Sequence, residues 1–147
     1  MQNAITELEE LTLTSSAKSF LKETAKWAKF LSILGFIVVA LMLLGSFFIG
    51  SIYNNMPQAQ GIPMNLGGIM TGAYIVFALI YIFPVYYLYQ FSVKMKNALV
   101  SKDDAVLAKA FEMLKSHYKF IGVLAIIVLS LYALAFIIGI IGAATAF

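Results

Sequence analysis

The side chains that carry acid–base, nucleophilic or metal chemistry are scarce in this chain of 147 residues. It has one histidine, His117, and no cysteine, which excludes disulfides, thiolate nucleophiles and thiolate metal sites. A zinc site needs three or four ligands, and no cluster of histidine and carboxylate residues supplies them. Asp103 and Asp104 are adjacent carboxylates, but after Ser101 they are typical of a helix start, where a capping hydroxyl precedes acids at the positive end of the dipole. We therefore expect no catalytic residue, no metal, no cofactor and no enzymatic activity.

The composition indicates a membrane protein. Hydrophobic residues make up 62% of the chain and charged residues 12%, whereas soluble domains average about 45–50% and about 25%. Three stretches without any charge, 30–52, 69–91 and 120–146, are long enough to cross a hydrocarbon core of about 30 Å as helices. We predict an all-α integral membrane protein with three transmembrane helices. Because these stretches hold no titratable acid, base or histidine, a proton-coupled transporter is disfavoured.

The polar segments before the first and third spans have the pattern of amphipathic helices. In 15–29, apolar side chains occupy one helical face and lysines another, which is typical of an interfacial helix lying in the headgroup plane of an anionic membrane. Alternatively, the lysines only flank the first span and set its orientation. A second amphipathic helix is predicted over 92–119, and 1–14 is predicted to be a flexible acidic tail. The predicted membrane-surface residues of the first helix are Lys18, Lys22, Lys26, Lys29 and Trp27.

The lysines predict the orientation of the chain. All ten basic residues are lysines, and all ten precede the first span or separate the second from the third. By the positive-inside rule, the N-terminus and 92–119 are cytoplasmic, while the loop 53–68 and the C-terminus lie outside. The first long apolar run begins near Phe30, too late for a cleavable signal peptide, so we expect a retained signal anchor. A basic surface without arginine suits anionic lipid better than nucleic acid.

Small residues at four-residue spacing predict helix association. Ser46 and Gly50 in the first span, and Ala135, Gly139 and Ala143 in the third, form faces that let helix backbones approach closely. The contact is either within the chain or with a second copy or another membrane protein.

The second span contains a proline, Pro84, which frees the carbonyl of Ile80 and is expected to bend the helix. The hydroxyls of Tyr81, Ser130 and Tyr132 lie at similar predicted depth and could bond to that kink. The result is a functional hinge with a small polar pocket, or a kink tolerated by a packed bundle.

Two segments resemble a known family. LKETAKWAKFLSILGFI before the first span and LVSKDDAVLAKAFEMLKSHYKFIGVLAII before the third are similar to a family of small integral membrane proteins of unknown function from Bacteroidetes. The resemblance covers about 15–50 and 90–130. It implies a bacterial inner-membrane location and the same three-span architecture, and it assigns no activity or site residue.

The sequence supports three functional hypotheses. The preferred one is a non-enzymatic inner-membrane protein that acts by helix association, as an accessory or scaffold subunit or as a homo-oligomer. The second is an oligomeric channel or permeability protein, in which several copies line a pathway with Tyr81, Ser130 and Tyr132. The third is a membrane-surface sensor, in which the lysines of 15–29 bind anionic lipid with about 1 kcal/mol each.

Overall fold

The computed structural model describes residues 13–56 and 65–145, and every regular element in them is an α-helix. The helices are α1 (Ser15–Asn54), α2 (Leu66–Ser101) and α3 (Asp104–Thr145), with 40, 36 and 42 residues. All three are long and apolar enough to span a membrane, which confirms the predicted all-α architecture with three such helices. Residues 1–12 of the predicted tail 1–14 and residues 57–64 of the predicted loop 53–68 lie outside the described residues. Of the remaining loop residues, 53–54 belong to α1 and 66–68 to α2.

The prediction of two separate amphipathic helices is wrong. Residues 15–29 are the first part of α1, and 92–119 is divided between the end of α2 and the start of α3. No glycine or proline separates 15–29 from the first span, so the helical hydrogen bonds continue without a break. At a rise of 1.5 Å per residue the helices are about 54–63 Å long, roughly twice the hydrocarbon thickness. Each therefore extends beyond the hydrocarbon core.

A two-residue turn connects α2 to α3, and Asp103 rather than Ser101 caps α3. The carboxylate of Asp103 accepts hydrogen bonds from the backbone N–H groups of Ala105 and Val106, at 2.8 and 3.2 Å. The hydroxyl of Ser101 instead donates to a carbonyl of its own helix, α2. Lys102 has a left-handed backbone (φ 55°, ψ 40°), which reverses the chain. The start of α3 directly after 101–103 is as predicted, and the hydroxyl of Thr14 caps α1 by accepting from the Ala17 N–H.

The α1–α2 pair is a hairpin whose contact runs along most of both helices. The buried positions of α1 follow one another at spacings of three, four or seven residues, which fits the seven-residue repeat of a coiled-coil seam. Most of the buried side chains are small, so the two backbones approach closely. The buried residues of α1 are Ala25, Ala28, Ser32, Val39, Ser46 and Gly50.

The core lies where the charged residues are. We call residues 15–29 and 92–119, which carry all ten lysines, the basic end of the molecule. Here α2 lies between α1 and α3, and the buried side chains of all three helices meet. Phe91 and Met95 are almost fully buried, at 1% and 0% exposure. The complete buried set is Ala25, Ala28, Phe91, Met95 and Ala110. The apolar stripes of the amphipathic segments thus pack on one another.

Candidate functional site

The outer half of α3 makes almost no contact with the rest of the described chain. Leu124 is the last half-buried residue of α3, and every residue from 125 to 144, which we call the α3 arm, is exposed. A Cβ placed on Gly139 would meet nothing within 4 Å. The predicted association residues Ala135, Gly139 and Ala143 all lie on this arm, so none of them packs against α1 or α2.

Tyr132 lies on the same face of the α3 arm as the small residues. Ala135, Gly139 and Ala143 follow it by three, seven and eleven residues, which is one face of a helix with 3.6 residues per turn. Its side chain is 71% exposed, and no hydrogen-bond partner lies near its hydroxyl among the described residues. Tyr132 is close to the midpoint of the charge-free stretch 120–146. An unpaired hydroxyl in hydrocarbon is unfavourable, by about 1–3 kcal/mol on mutational scales.

Ser46 and Gly50 lie in the contact between α1 and α2. The hydroxyl of Thr71 donates to the Ser46 carbonyl at 3.1 Å, and the N–H of Gly67 donates to the Asn54 side chain at 3.2 Å. A Cβ on Gly50 would collide with Thr71, and a Cβ on Gly67 would collide with the Gly50 carbonyl and with Asn54. This face is therefore filled within the chain, in contrast to the face on the α3 arm.

Pro84 is buried within a continuous α2, and its partner is His117. The Nδ1 of His117 lies 2.7 Å from the Pro84 carbonyl oxygen. Because that oxygen can only accept, Nδ1 carries the proton and donates. Next to this bond, the rings of Phe83 and Phe120 stack with centroids 6.0 Å apart. These contacts hold the beginning of the third span against α2 at the level of Pro84.

The structure does not assemble the polar pocket predicted around Pro84. Ser130 donates to the carbonyl of Ile126 in its own helix, and Tyr132 lies on the exposed arm. Tyr81 is 44% exposed and lines a shallow apolar cavity of about 310 Å³ with side chains of all three helices. Tyr81, Ser130 and Tyr132, three of the four residues predicted to form the pocket, therefore take no part in the hydrogen bond between Pro84 and α3.

Sequence reasoning missed His117 as the partner of Pro84, although a signal existed. In an antiparallel helical hairpin, residues at similar distances from the turn face one another. Pro84 precedes Lys102 by 18 residues, and His117 follows Asp103 by 14. With the turn placed at 102–103, the only histidine would have been expected near the proline. Because 92–119 was predicted to be one helix, the turn at 102–103 was not predicted.

A groove opens between α1 and α3 at the basic end, with α2 as its floor. Its volume is about 370 Å³. The aromatic side chains on its walls, Phe20, Trp27 and Tyr118, are 68%, 58% and 66% exposed. Leu88 and the buried Phe91 contribute from α2. Glu23 is the only charged residue that lines it.

The predicted membrane-surface lysines lie on a different face of α1 from the groove. Lys18, Lys22, Lys26 and Lys29 are all exposed. At 100° per residue the mean direction of the lysines is about 140° from that of Phe20, Glu23 and Trp27, and Lys26 lies nearest to Glu23. Trp27 therefore belongs to the groove wall rather than to the lysine face. One face of α1 is therefore basic and the other is mainly aromatic and apolar.

Comparison with known proteins gives no family model, no curated relative and no solved structure that matches this chain. The resemblance of 15–50 and 90–130 to a Bacteroidetes family stays a prediction. Within 13–56 and 65–145, no three His, Cys, Asp or Glu residues are grouped closely enough to hold a metal ion. The features of the described chain that bear on function are therefore the α3 arm, the α1–α2 hairpin and the groove.

Proposed function

We propose that this chain is a non-enzymatic protein of the bacterial inner membrane that acts by helix association, with the α3 arm as the associating surface. The observation that supports this is the contrast between two small-residue faces. Ser46 and Gly50 are covered by α2, whereas Ala135, Gly139 and Ala143 are covered by nothing in the described chain. The partner that fits best is the α3 arm of a second copy, since two helix faces with small residues at four-residue spacing pack closely against each other.

Tyr132 adds a polar reason for association. In a lone molecule its hydroxyl would point into lipid near mid-depth, where it finds no acceptor. Across a helix pair it can donate to a carbonyl of the neighbouring arm. Interhelical hydrogen bonds in membranes are worth about 0.6 kcal/mol on average, so the bond adds to packing and sets register without dominating.

The rest of the fold holds the α3 arm in position. The α1–α2 hairpin is closed by its own small residues, and the His117–Pro84 bond ties the beginning of the third span to α2. In the proposed orientation the basic end is cytoplasmic, where its ten lysines meet anionic lipid. The molecule would then serve as a homo-oligomer, or as an accessory or scaffold subunit that adds one helix face to a larger assembly.

Disulfide trapping in lipid tests this proposal. The chain has no cysteine, so each variant carries a single thiol. Ala135→Cys places it on the proposed face, and Ile137→Cys places it on the opposite face of the same exposed arm. We expect copper-catalysed oxidation at low protein-to-lipid ratio to give dimers for Ala135→Cys and few for Ile137→Cys. Equal yields from both variants, or a lone monomer without any partner after mild-detergent purification, would contradict the proposal.

The other two hypotheses stay predictions with less support. A channel lined by Tyr81, Ser130 and Tyr132 requires residues that the structure leaves apart. A lipid sensor built on 15–29 requires its lysines to share one depth. Lys18 and Lys29 lie 11 residues apart on a continuous helix, about 16 Å along its axis, which exceeds the Debye length of about 8 Å at physiological salt. If α1 stands along the membrane normal, its four lysines contribute unequally.

A further inference from the structure

The groove at the basic end crosses the level at which lipid headgroups lie. Leu31 and Leu88, which line one end, belong to the charge-free stretches that form the first and second spans. Glu23 lies eight residues before Leu31, about 12 Å along α1 and away from those stretches. An occupant that fills the groove therefore meets hydrocarbon at one end and the water interface at the other. Such an occupant is an amphiphile.

The walls of the groove favour a positively charged headgroup. Aromatic ring faces attract ammonium cations, and four rings line this space: the buried Phe91 and the exposed Phe20, Trp27 and Tyr118. The carboxylate of Glu23 is the only charge on the lining, and it disfavours an anionic head. The hydroxyl of Thr24, the remaining polar group of α1 there, already donates to the Phe20 carbonyl at 2.9 Å.

The groove also stays open because of how the helices pack. Both α1 and α3 contact α2 extensively, and contacts between α1 and α3 are few. Above Ala28 and Leu114 the space between them is floored by Leu88 and Phe91 and opens sideways. The groove is therefore open to a phospholipid of the adjacent leaflet.

We infer that this groove binds a phospholipid with an ammonium headgroup, of the phosphatidylethanolamine type, from the leaflet at the basic end. Its ammonium lies among the rings of Phe20, Trp27 and Tyr118 near Glu23, and an acyl chain lies along Leu31 and Leu88. This site is separate from the lysine face of α1 and from the α3 arm.

The chain reports on the site directly, because Trp27 is its only tryptophan. The full-length protein is reconstituted in vesicles of phosphatidylethanolamine and phosphatidylglycerol in equal mole fractions. In one set of vesicles only the first lipid carries brominated acyl chains, and in the other only the second does. The two membranes then have the same headgroup composition, and quenching of Trp27 fluorescence measures which lipid occupies the groove.

We expect stronger quenching when phosphatidylethanolamine is brominated, with about a fivefold preference at the site, since a cation–aromatic contact and an exposed ion pair each add a small factor. Glu23→Gln and Tyr118→Leu should each bring the preference close to one. Both side chains are exposed, so neither change threatens the fold. The matched control is Glu112→Gln, an exposed acid of α3 outside the groove, which should leave the preference unchanged.

Three results would overturn the inference. Equal quenching by either brominated lipid would mean that the headgroup is not recognised. A preference that survives both Glu23→Gln and Tyr118→Leu would place the selectivity elsewhere. Absence of quenching by both lipids would mean that polypeptide rather than lipid covers Trp27.

Discussion

Gly67 is the position at which the hairpin is most sensitive to one added methyl group. A Cβ there would collide with the Gly50 carbonyl, which is backbone and cannot rotate away, and with the Asn54 side chain. We predict that Gly67→Ala forces the ends of α1 and α2 apart. The separation would break the bond from the Gly67 N–H to Asn54 (3.2 Å) and the bond from Thr71 to Ser46 (3.1 Å).

The expected loss of unfolding free energy is the sum of two contributions. Two interhelical hydrogen bonds at about 0.6 kcal/mol each give about 1.2 kcal/mol. Overpacking of a close contact adds about 1–3 kcal/mol. The sum is about 2–4 kcal/mol. The control is Gly72→Ala on the same helix, whose Cβ would meet nothing within 4 Å. It should be neutral or stabilise by up to about 1 kcal/mol, because alanine favours helix over glycine.

The assay uses the absence of cysteine from the chain. Donor and acceptor dyes are attached to cysteines introduced at Phe48 and Ile69, which are 71% and 45% exposed near the ends that separate. Energy transfer is measured while SDS is titrated into mild-detergent micelles, and the midpoint gives relative stability. If Gly67→Ala and Gly72→Ala unfold at the same midpoint as the parent, the close contact between α1 and α2 does not exist as described.

Three further substitutions test the basic end and the α2–α3 contact by the same titration. Met95→Ala removes a fully buried side chain (0% exposed) and should lower the free energy of unfolding by about 2–4 kcal/mol. Its control on the same helix, Val100→Ala at 77% exposure, should change that free energy by less than about 0.5 kcal/mol. Equal effects of the two substitutions would contradict the burial of Met95. His117→Leu removes the donor to the Pro84 carbonyl and should cost about 1 kcal/mol, while His117→Gln, which keeps a donor, should cost less; the reverse order would contradict that bond. Lys102→Gly relieves a left-handed backbone and should stabilise by about 0.5–1 kcal/mol, and a loss of stability would show that Lys102 is not left-handed.

The amino-acid sequence predicts the three long apolar helices and misplaces the amphipathic ones, and one cause explains both. Hydropathy reports how much of a segment avoids water, but not what covers it. The stripe on 15–29 looks the same whether lipid or another helix covers it. Ala25 and Ala28 are the residues that distinguish the two cases. They are too small to anchor a helix in a headgroup plane, and they suit close packing against Phe91 and Met95.

The turn between α2 and α3 was missed for a local reason. The segment 92–119 contains no glycine or proline, the usual markers of a turn. The left-handed position is occupied by Lys102, a residue that rarely adopts it, and the cap is Asp103 directly behind it. The sequence 101–104, Ser-Lys-Asp-Asp, is compatible with a cap by the Ser101 hydroxyl or by the Asp103 carboxylate. Only the structure decides which of Ser101 and Asp103 lies at the helix start.

The α3 arm begins just after Leu124, which lines the same cavity as Phe77 of α2. In α2, Pro84, Phe91 and Ala98 are buried at seven-residue spacing, and the carbonyl of Pro84 contacts His117 of α3. The next position in that series is Phe77, which is bulky and 59% exposed. Gly139 follows His117 by 22 residues, whereas α2 extends only 18 residues from Pro84 back to Leu66, so α2 ends before it reaches the level of Gly139. Close backbone contact is therefore available between Gly50 and Gly67 in the hairpin, but not between Gly139 and α2. Among residues 13–56 and 65–145 nothing reaches the small face of α3, so close contact on that face needs a partner from outside the described residues.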